Sequence, residues 1–181
     1  MIAEWESRTS DFPKKAWYAH FFRSQLYDAT YKFDRAVTEG LAALSQARIL
    51  GDSVLVGWSY TQLGQAAENN NQQVPALTYF LIGEEVIKRF GNDRSLFKHY
   101  EELRDFYVRL GEIDEAYRTV ELQSELIEKS DEFDRIDQYL LDYWKLYVSI
   151  EAGYLDDYLD ELLNRIHNFE DQGYNYQLAN T

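Results

Sequence analysis

The sequence predicts an all-α protein in which about four antiparallel helix pairs stack as an α-solenoid. Alanines recur at a spacing of 40 residues, at Ala36, Ala76 and Ala116, and each opens an amphipathic helical pattern just after a short turn. The chain has 181 residues but only two prolines and nine glycines, the residues that interrupt helices. No hairpin dipeptide or alternating apolar run competes with this interpretation.

Turn and capping residues place the helices in order. Pro13 suits a first helical turn, where its missing N–H does no harm. Gly51 is expected as a left-handed C-cap, and Gly91 is expected as the C-cap of a later helix. Asp52 or Ser53 and then Asp93 are expected as N-caps of the following helices. The eight predicted helices end near Ala29, Leu50, Asn69, Phe90, Leu110, Lys129, Ala152 and Phe169, and the second, fourth, sixth and eighth begin near Asp34, Pro75, Ile113 and Leu155.

Composition limits the classes of protein to consider. The absence of cysteine excludes disulfides and thiolate metal sites and fits a reducing compartment, so we expect a cytoplasmic protein. The sequence contains no apolar run of about 18 residues and no signal-peptide pattern at Met1, so no membrane association is expected.

The net charge of −14 is concentrated in the last third of the chain. Residues 112–171 carry 18 acidic and 5 basic side chains, whereas the rest carries 14 acidic and 13 basic ones. Such a segment repels phosphate backbones, so direct nucleic-acid binding is not expected, and it attracts basic peptides. The alternative is a solvated helix face that only aids solubility.

The second helix pair carries residues at the spacing of a known repeat motif. Small residues, Gly64 and Ala76, let two helices approach, and Tyr60 and Phe80 fill the space between them. In the third pair Arg104 stands where the motif has glycine. The repeat-core residues of the whole chain are Tyr27, Ala36, Tyr60, Leu63, Gly64, Ala67, Ala76, Phe80, Gly83, Tyr100, Leu103, Tyr107 and Ala116.

The chain therefore resembles the tetratricopeptide repeat (TPR) family over roughly residues 14–169. Its period of 40, against about 34 in the usual repeat, resembles the long-helix variety in bacterial signalling proteins, such as Rap-type and PlcR-type peptide receptors and MalT-like regulators. The resemblance implies a right-handed superhelix whose first helices line a concave groove. A simple helical bundle with chance spacing is the alternative.

In the register of that family, the groove has a specific set of lining residues. We expect these to be Tyr18, Phe21, Gln25, Trp58, Thr61, Gln65, Glu68, Lys98, Glu101, Asp105 and Trp144, with Leu141 and Val148 less securely placed. Trp58 and Phe21 could equally pack against a neighbouring helix. The positions that clamp a carboxylate in chaperone-type repeats match only at Lys98, and Glu102 would repel such a ligand. A chaperone-tail adaptor is therefore disfavoured.

No catalytic or metal-binding pattern is recognisable. His20, His99 and His167 fall on different predicted helices, and the acids around Asp131 lack the glycine and glutamate of a calcium loop. We expect a protein without enzymatic activity, metal or cofactor. The leading hypothesis is a module that binds a peptide or protein segment, with a basic one favoured by the charge; the alternatives are the sensor portion of a bacterial transcription or phosphorelay regulator with an attached output domain, and an oligomerising scaffold.

The repeat register also suggests how the chain is divided. Shifting by 40 residues places Ala3 on Ala43, so residues 1–12 are predicted to be the remnant of a preceding helix. The repeat domain would cover residues 13–170, and residues 171–181 would form a tail or begin a further helix. Either residues 1–12 form a capping remnant, or the chain is an excerpt from a longer array, and we favour the second interpretation.

Overall fold

The computed structural model describes residues 13–154 together with Asp156, Leu159, Asp160 and Leu163. Within this part of the chain every regular element is helical, and the predicted all-α class is confirmed. Residues 1–12, most of the predicted helix from Leu155 to Phe169 and residues 171–181 lie outside the described residues. The helices are α1 (Lys15–Ala29), α2 (Phe33–Leu50), α3 (Ser53–Asn69), α4 (Gln73–Phe90), α5 (Asp93–Leu110), α6 (Ile113–Lys129) and α7 (Arg135–Ala152).

The helices pack in chain order, each against the next one, as stacked antiparallel hairpins. In addition α1 packs on α3 and α3 packs on α5, whereas no comparable packing joins α2 to α4 or α4 to α6 among the described residues. Because α1, α3 and α5 also pack on one another beyond the contacts between consecutive helices, these odd-numbered helices form the inner layer of the stack. The even-numbered helices form the outer layer.

The turn within each hairpin repeats the same hydrogen bond every 40 residues. The backbone N–H groups of Lys32, Gln72 and Glu112 donate to the carbonyls of Tyr27, Ala67 and Tyr107 at 2.8, 2.9 and 3.0 Å. The residue before each donor has a left-handed backbone, with φ of 59° at Tyr31, 56° at Asn71 and 77° at Gly111. These bonds satisfy carbonyls that a helix end otherwise leaves unpaired. The backbone therefore carries the 40-residue period that the alanines indicate.

The turns between hairpins differ in part from the prediction. Gly51 is left-handed, as predicted, and the Asp52 side chain accepts from the backbone N–H of Leu55 at 3.1 Å. Gly91 is the C-cap of α4, as predicted, with an extended backbone of φ −85° and ψ −172°. The N-cap of α5 is Asn92 and not Asp93. A Cβ at Gly91 would stand 2.8 Å from the Ile87 carbonyl oxygen, so close approach explains this glycine. At the other end, α1 begins at Lys15, and Pro13 lies in the turn before it.

The core is built on the repeat residues. Ala36, Ala76 and Ala116 are fully buried, and a cluster of Ala67, Ala76, Phe80, Tyr100, Leu103 and Phe106 joins the second hairpin to the third. The Phe80 ring lies against Gly64, where an added Cβ would come within 2.9 Å of it. Tyr27, Tyr60 and Tyr107 are half-buried at the edges of this packing. No helix among the described residues combines the length and apolar character needed to cross a membrane.

Candidate binding surface on the odd-numbered helices

The first group of predicted groove residues belongs to a packed aromatic cluster. Tyr18, Phe21 and Trp58 lie against buried Trp17 and Leu55, and each of the three stays partly exposed. The rings of Trp17 and Phe21 stack with centroids 4.6 Å apart. The indole N–H of Trp17 donates to Ser59 Oγ at 2.9 Å, which joins α1 to α3. Trp58 and Phe21 are thus packing residues with an accessible edge. Gln25 is exposed on the same helix layer.

Three of the expected groove residues are not accessible. Thr61 is buried between α3 and α5, where its hydroxyl lies 2.8 Å from His99 Nδ1 and 3.2 Å from the Gly57 carbonyl oxygen. His99 is also fully buried, and burial lowers its pKa to about 4, with the Lys88 charge adding to this and Glu84 opposing it. Leu141 and Val148 are buried in the cluster between α6 and α7. These side chains pack between neighbouring helices and are not accessible to a ligand.

The middle of the inner layer carries a band of five carboxylates, which we call the carboxylate band: Asp28, Glu68, Glu101, Glu102 and Asp105. Arg109 on α5 bonds Glu68 on α3, with Nη2 to Oε2 at 2.7 Å. The Gln65 amide donates to Glu102, and the Asn69 amide donates to Asp28 at 2.8 Å. Polar side chains therefore connect α1, α3 and α5 at intervals close to one repeat. Lys98 is exposed beside Glu101.

The pKa values of three carboxylates in this band are raised. Burial raises the pKa of Glu101, Glu102 and Asp28, and neighbouring carboxylates raise it further at each of them. The Asp28 Oδ1 atom is buried without a hydrogen-bond partner. Carboxylates that are partly desolvated and close to one another favour any cation that can reach them. A basic side chain placed on this band would stabilise the ionised form of these carboxylates.

Sequence reasoning missed the role of Arg104, which occupies the motif's glycine position. Its buried guanidinium stacks on the Trp144 ring, 4.0 Å from the centroid, and donates to Asp105 Oδ1 from Nε and Nη2 at 2.9 and 2.7 Å. It also donates to Oε1 of buried Gln123 at 3.3 Å, and Gln123 in turn donates to the Phe97 carbonyl. In the sequence, an arginine at the glycine position of the motif was the signal that could have revealed this role, because a buried arginine needs hydrogen-bond and charge partners. One face of the Trp144 ring is therefore occupied by Arg104.

The histidines show no shared site among the described residues. His20 Nδ1 lies 2.6 Å from Glu39 Oε2 across the first hairpin, and His99 is in the core. His167 lies outside the described residues. Across residues 13–154 and the four further described positions, no three side chains of histidine, aspartate or glutamate are grouped to hold a metal ion.

Comparisons with known proteins show a similarity of fold. No protein-family model matches the sequence, and no curated protein matches it either. A similar solved structure is the crystal structure of BtubC (BKLC) from P. vanneervenii, with a TM-score of 0.72 and 17% sequence identity. The match covers 97% of this chain and 72% of that one. The shared property is the fold. At this identity the similarity supports a helical repeat-like architecture and says nothing of a shared ligand.

Proposed function

We propose that this chain is a non-catalytic TPR-type module that binds an extended peptide or protein segment on its inner helix layer. In this proposal a basic side chain of the ligand sits on the carboxylate band. The chain has no cysteine and therefore no disulfide, which is compatible with a reducing compartment such as the cytoplasm. The observation that carries the proposal is the group of partly buried carboxylates whose pKa values are raised on α1 and α5.

The TPR assignment rests on the packing as well as on the motif. Gly64 lies under the Phe80 ring, and a Cβ at Gly83 would stand 3.3 Å from the Gly57 carbonyl oxygen. The inner layer then presents amide and carboxylate groups from successive helices, among them Gln25, Gln65 and Glu101, at about one repeat spacing. Extended peptides are recognised by such rows of polar side chains, which bond the peptide backbone, together with pockets for alternate side chains.

The test uses a library of fluorescein-labelled dodecapeptide pairs with varied flanking sequences. The two peptides of each pair differ only at the centre, which is arginine in one and glutamate in the other. Fluorescence anisotropy should find ligands only among the arginine peptides. For the best of them, Glu101→Gln should weaken binding about fivefold, because the loss of one favourable charge contact amounts to about 1 kcal/mol. The matched control is Glu128→Gln, the same change at an exposed position on α6.

The pH dependence gives an independent check. Protonation of Glu101 and Glu102 removes the charge that attracts the arginine, and their raised pKa values move this loss to higher pH than for ordinary glutamates. Affinity should therefore begin to decline at a higher pH than it would if these two side chains titrated as ordinary glutamates, whose pKa is about 4.3. Equal weakening by Glu101→Gln and Glu128→Gln would indicate non-specific attraction. A library without any arginine-dependent ligand at about 100 µM would contradict the proposal.

A further inference from the structure

The first helix presents two large apolar side chains to solvent. Phe22 is 52% exposed and Leu26 is 50% exposed. The residues one repeat later, Gln62 and Ala66, are buried. Two repeats later Glu102 is partly exposed, whereas Phe106 is buried with its ring 5.2 Å from that of Phe80 in the preceding hairpin. Leu26 thus occupies a position that both later hairpins bury, and Phe22 occupies one that the second hairpin buries. We call these two residues the head face.

The last described helix has an apolar stripe on its opposite side from the core. The buried stripe of α7 packs back on α6 through Leu141 and Val148. Half a turn away, a second stripe is exposed at spacings of three, four and seven residues, which places its members on one helix face. We call it the tail face; it consists of Tyr139 (71% exposed), Tyr143 (57%), Leu146 (36%) and Ile150 (51%).

The two ends of the stack carry opposite charge. Residues 13–35, which include α1 and the turn after it, have five basic and two acidic side chains. Residues 130–154, which include α7, have six acidic and two basic side chains. Two tail faces brought together would place acid against acid, and two head faces would place base against base. A head face against a tail face is attractive in charge and buries apolar side chains on both sides.

We infer that copies of this chain associate head to tail, with Phe22 and Leu26 of one copy packed on the tail face of the next. Since the two surfaces differ, the interface is heterologous and each added copy leaves one face open. Association is then concentration-dependent and open-ended, and salt weakens it.

The test is the average mass of the full-length chain by sedimentation equilibrium, from about 1 to about 200 µM. The wild type should exceed its monomer mass of 21.4 kDa increasingly with concentration, and less so at about 500 mM salt than at about 50 mM. A head variant, Phe22→Asp with Leu26→Asp, and a tail variant, Tyr143→Lys with Ile150→Lys, should each remain monomeric. The control is Val74→Asp, an exposed apolar residue on α4, which should associate like the wild type.

Mixing the two variants decides between this arrangement and others. Each retains one intact face, so an equimolar mixture should form a one-to-one dimer and nothing larger. A monomeric wild type throughout the concentration range would overturn the inference. So would association that survives in the head variant, which would indicate a symmetric contact through α7, or a mixture that stays monomeric although both variants keep wild-type circular dichroism.

Discussion

Replacing Arg104 by glycine restores the repeat motif, yet the structure predicts that this change destabilises the protein. The guanidinium is buried, stacks on Trp144 at 4.0 Å and donates to Asp105 and Gln123. A desolvated cation–π contact contributes about 2 kcal/mol. Hydrogen bonds to a charged group contribute about 1.5–3 kcal/mol each, and glycine inside a helix costs about 1 kcal/mol. These terms overlap, so we expect Arg104→Gly to lower the free energy of unfolding by at least about 3 kcal/mol.

The assay is urea unfolding near neutral pH, followed by far-UV circular dichroism and by tryptophan fluorescence. Arg118→Gly is the matched control, because Arg118 is an exposed residue of α6 and its replacement should cost little more than the helix propensity of about 1 kcal/mol. Arg104→Lys should fall between the two, since lysine keeps the charge and loses the planar fork. The reasoning is refuted if Arg104→Gly is no more destabilising than Arg118→Gly.

Two further predictions concern His99 and Tyr31. Burial lowers the pKa of His99 from 6.5 to about 4. Between these two pH values the unfolded chain takes up a proton that the folded chain does not bind. The free energy of unfolding therefore declines as the pH falls through this window, by up to about 3 kcal/mol. His99→Gln should remove that decline, seen as a stability difference between variant and wild type that changes from about pH 7 to about pH 4.5; a constant difference contradicts the assignment. Tyr31 is exposed and its backbone is left-handed, so Tyr31→Gly should be neutral or stabilising by about 0.5 kcal/mol. Gly111→Ala at the equivalent turn should destabilise the protein by about 1 kcal/mol. Thermal melts that rank these two variants in the opposite order would contradict the argument.

The helices were predictable because their signals are local. Ile113 to Lys129 and the helix ends at Leu50, Asn69, Phe90 and Ala152 are as the sequence indicates, since a turn residue and an apolar period are both read within one segment. Gly91 shows the limit of such reasoning. Glycine after a helix usually signals a left-handed cap, but here it is extended, and contact with the Ile87 carbonyl explains it.

The candidate surface was predictable only as a helix layer. The register put Gln65, Glu68 and Glu101 on α3 and α5, and the structure has all three partly exposed. Gln65 and Glu68 bond to side chains of α5. The same register included Thr61, which is buried against His99. It omitted Asp28 and Arg109, because the period alone does not tell which side chains reach across to a neighbour.

The sequence by itself determined the helix pairs, their order and their 40-residue period, because these depend on residues close together along the chain. Only the tertiary structure decided what each departure from the motif does. Arg104 and Trp144, a repeat apart, meet at 4.0 Å, and the carboxylate band forms where three helices converge. Burial and charge depend on neighbours that are distant in sequence, and stacking alone brings those neighbours together.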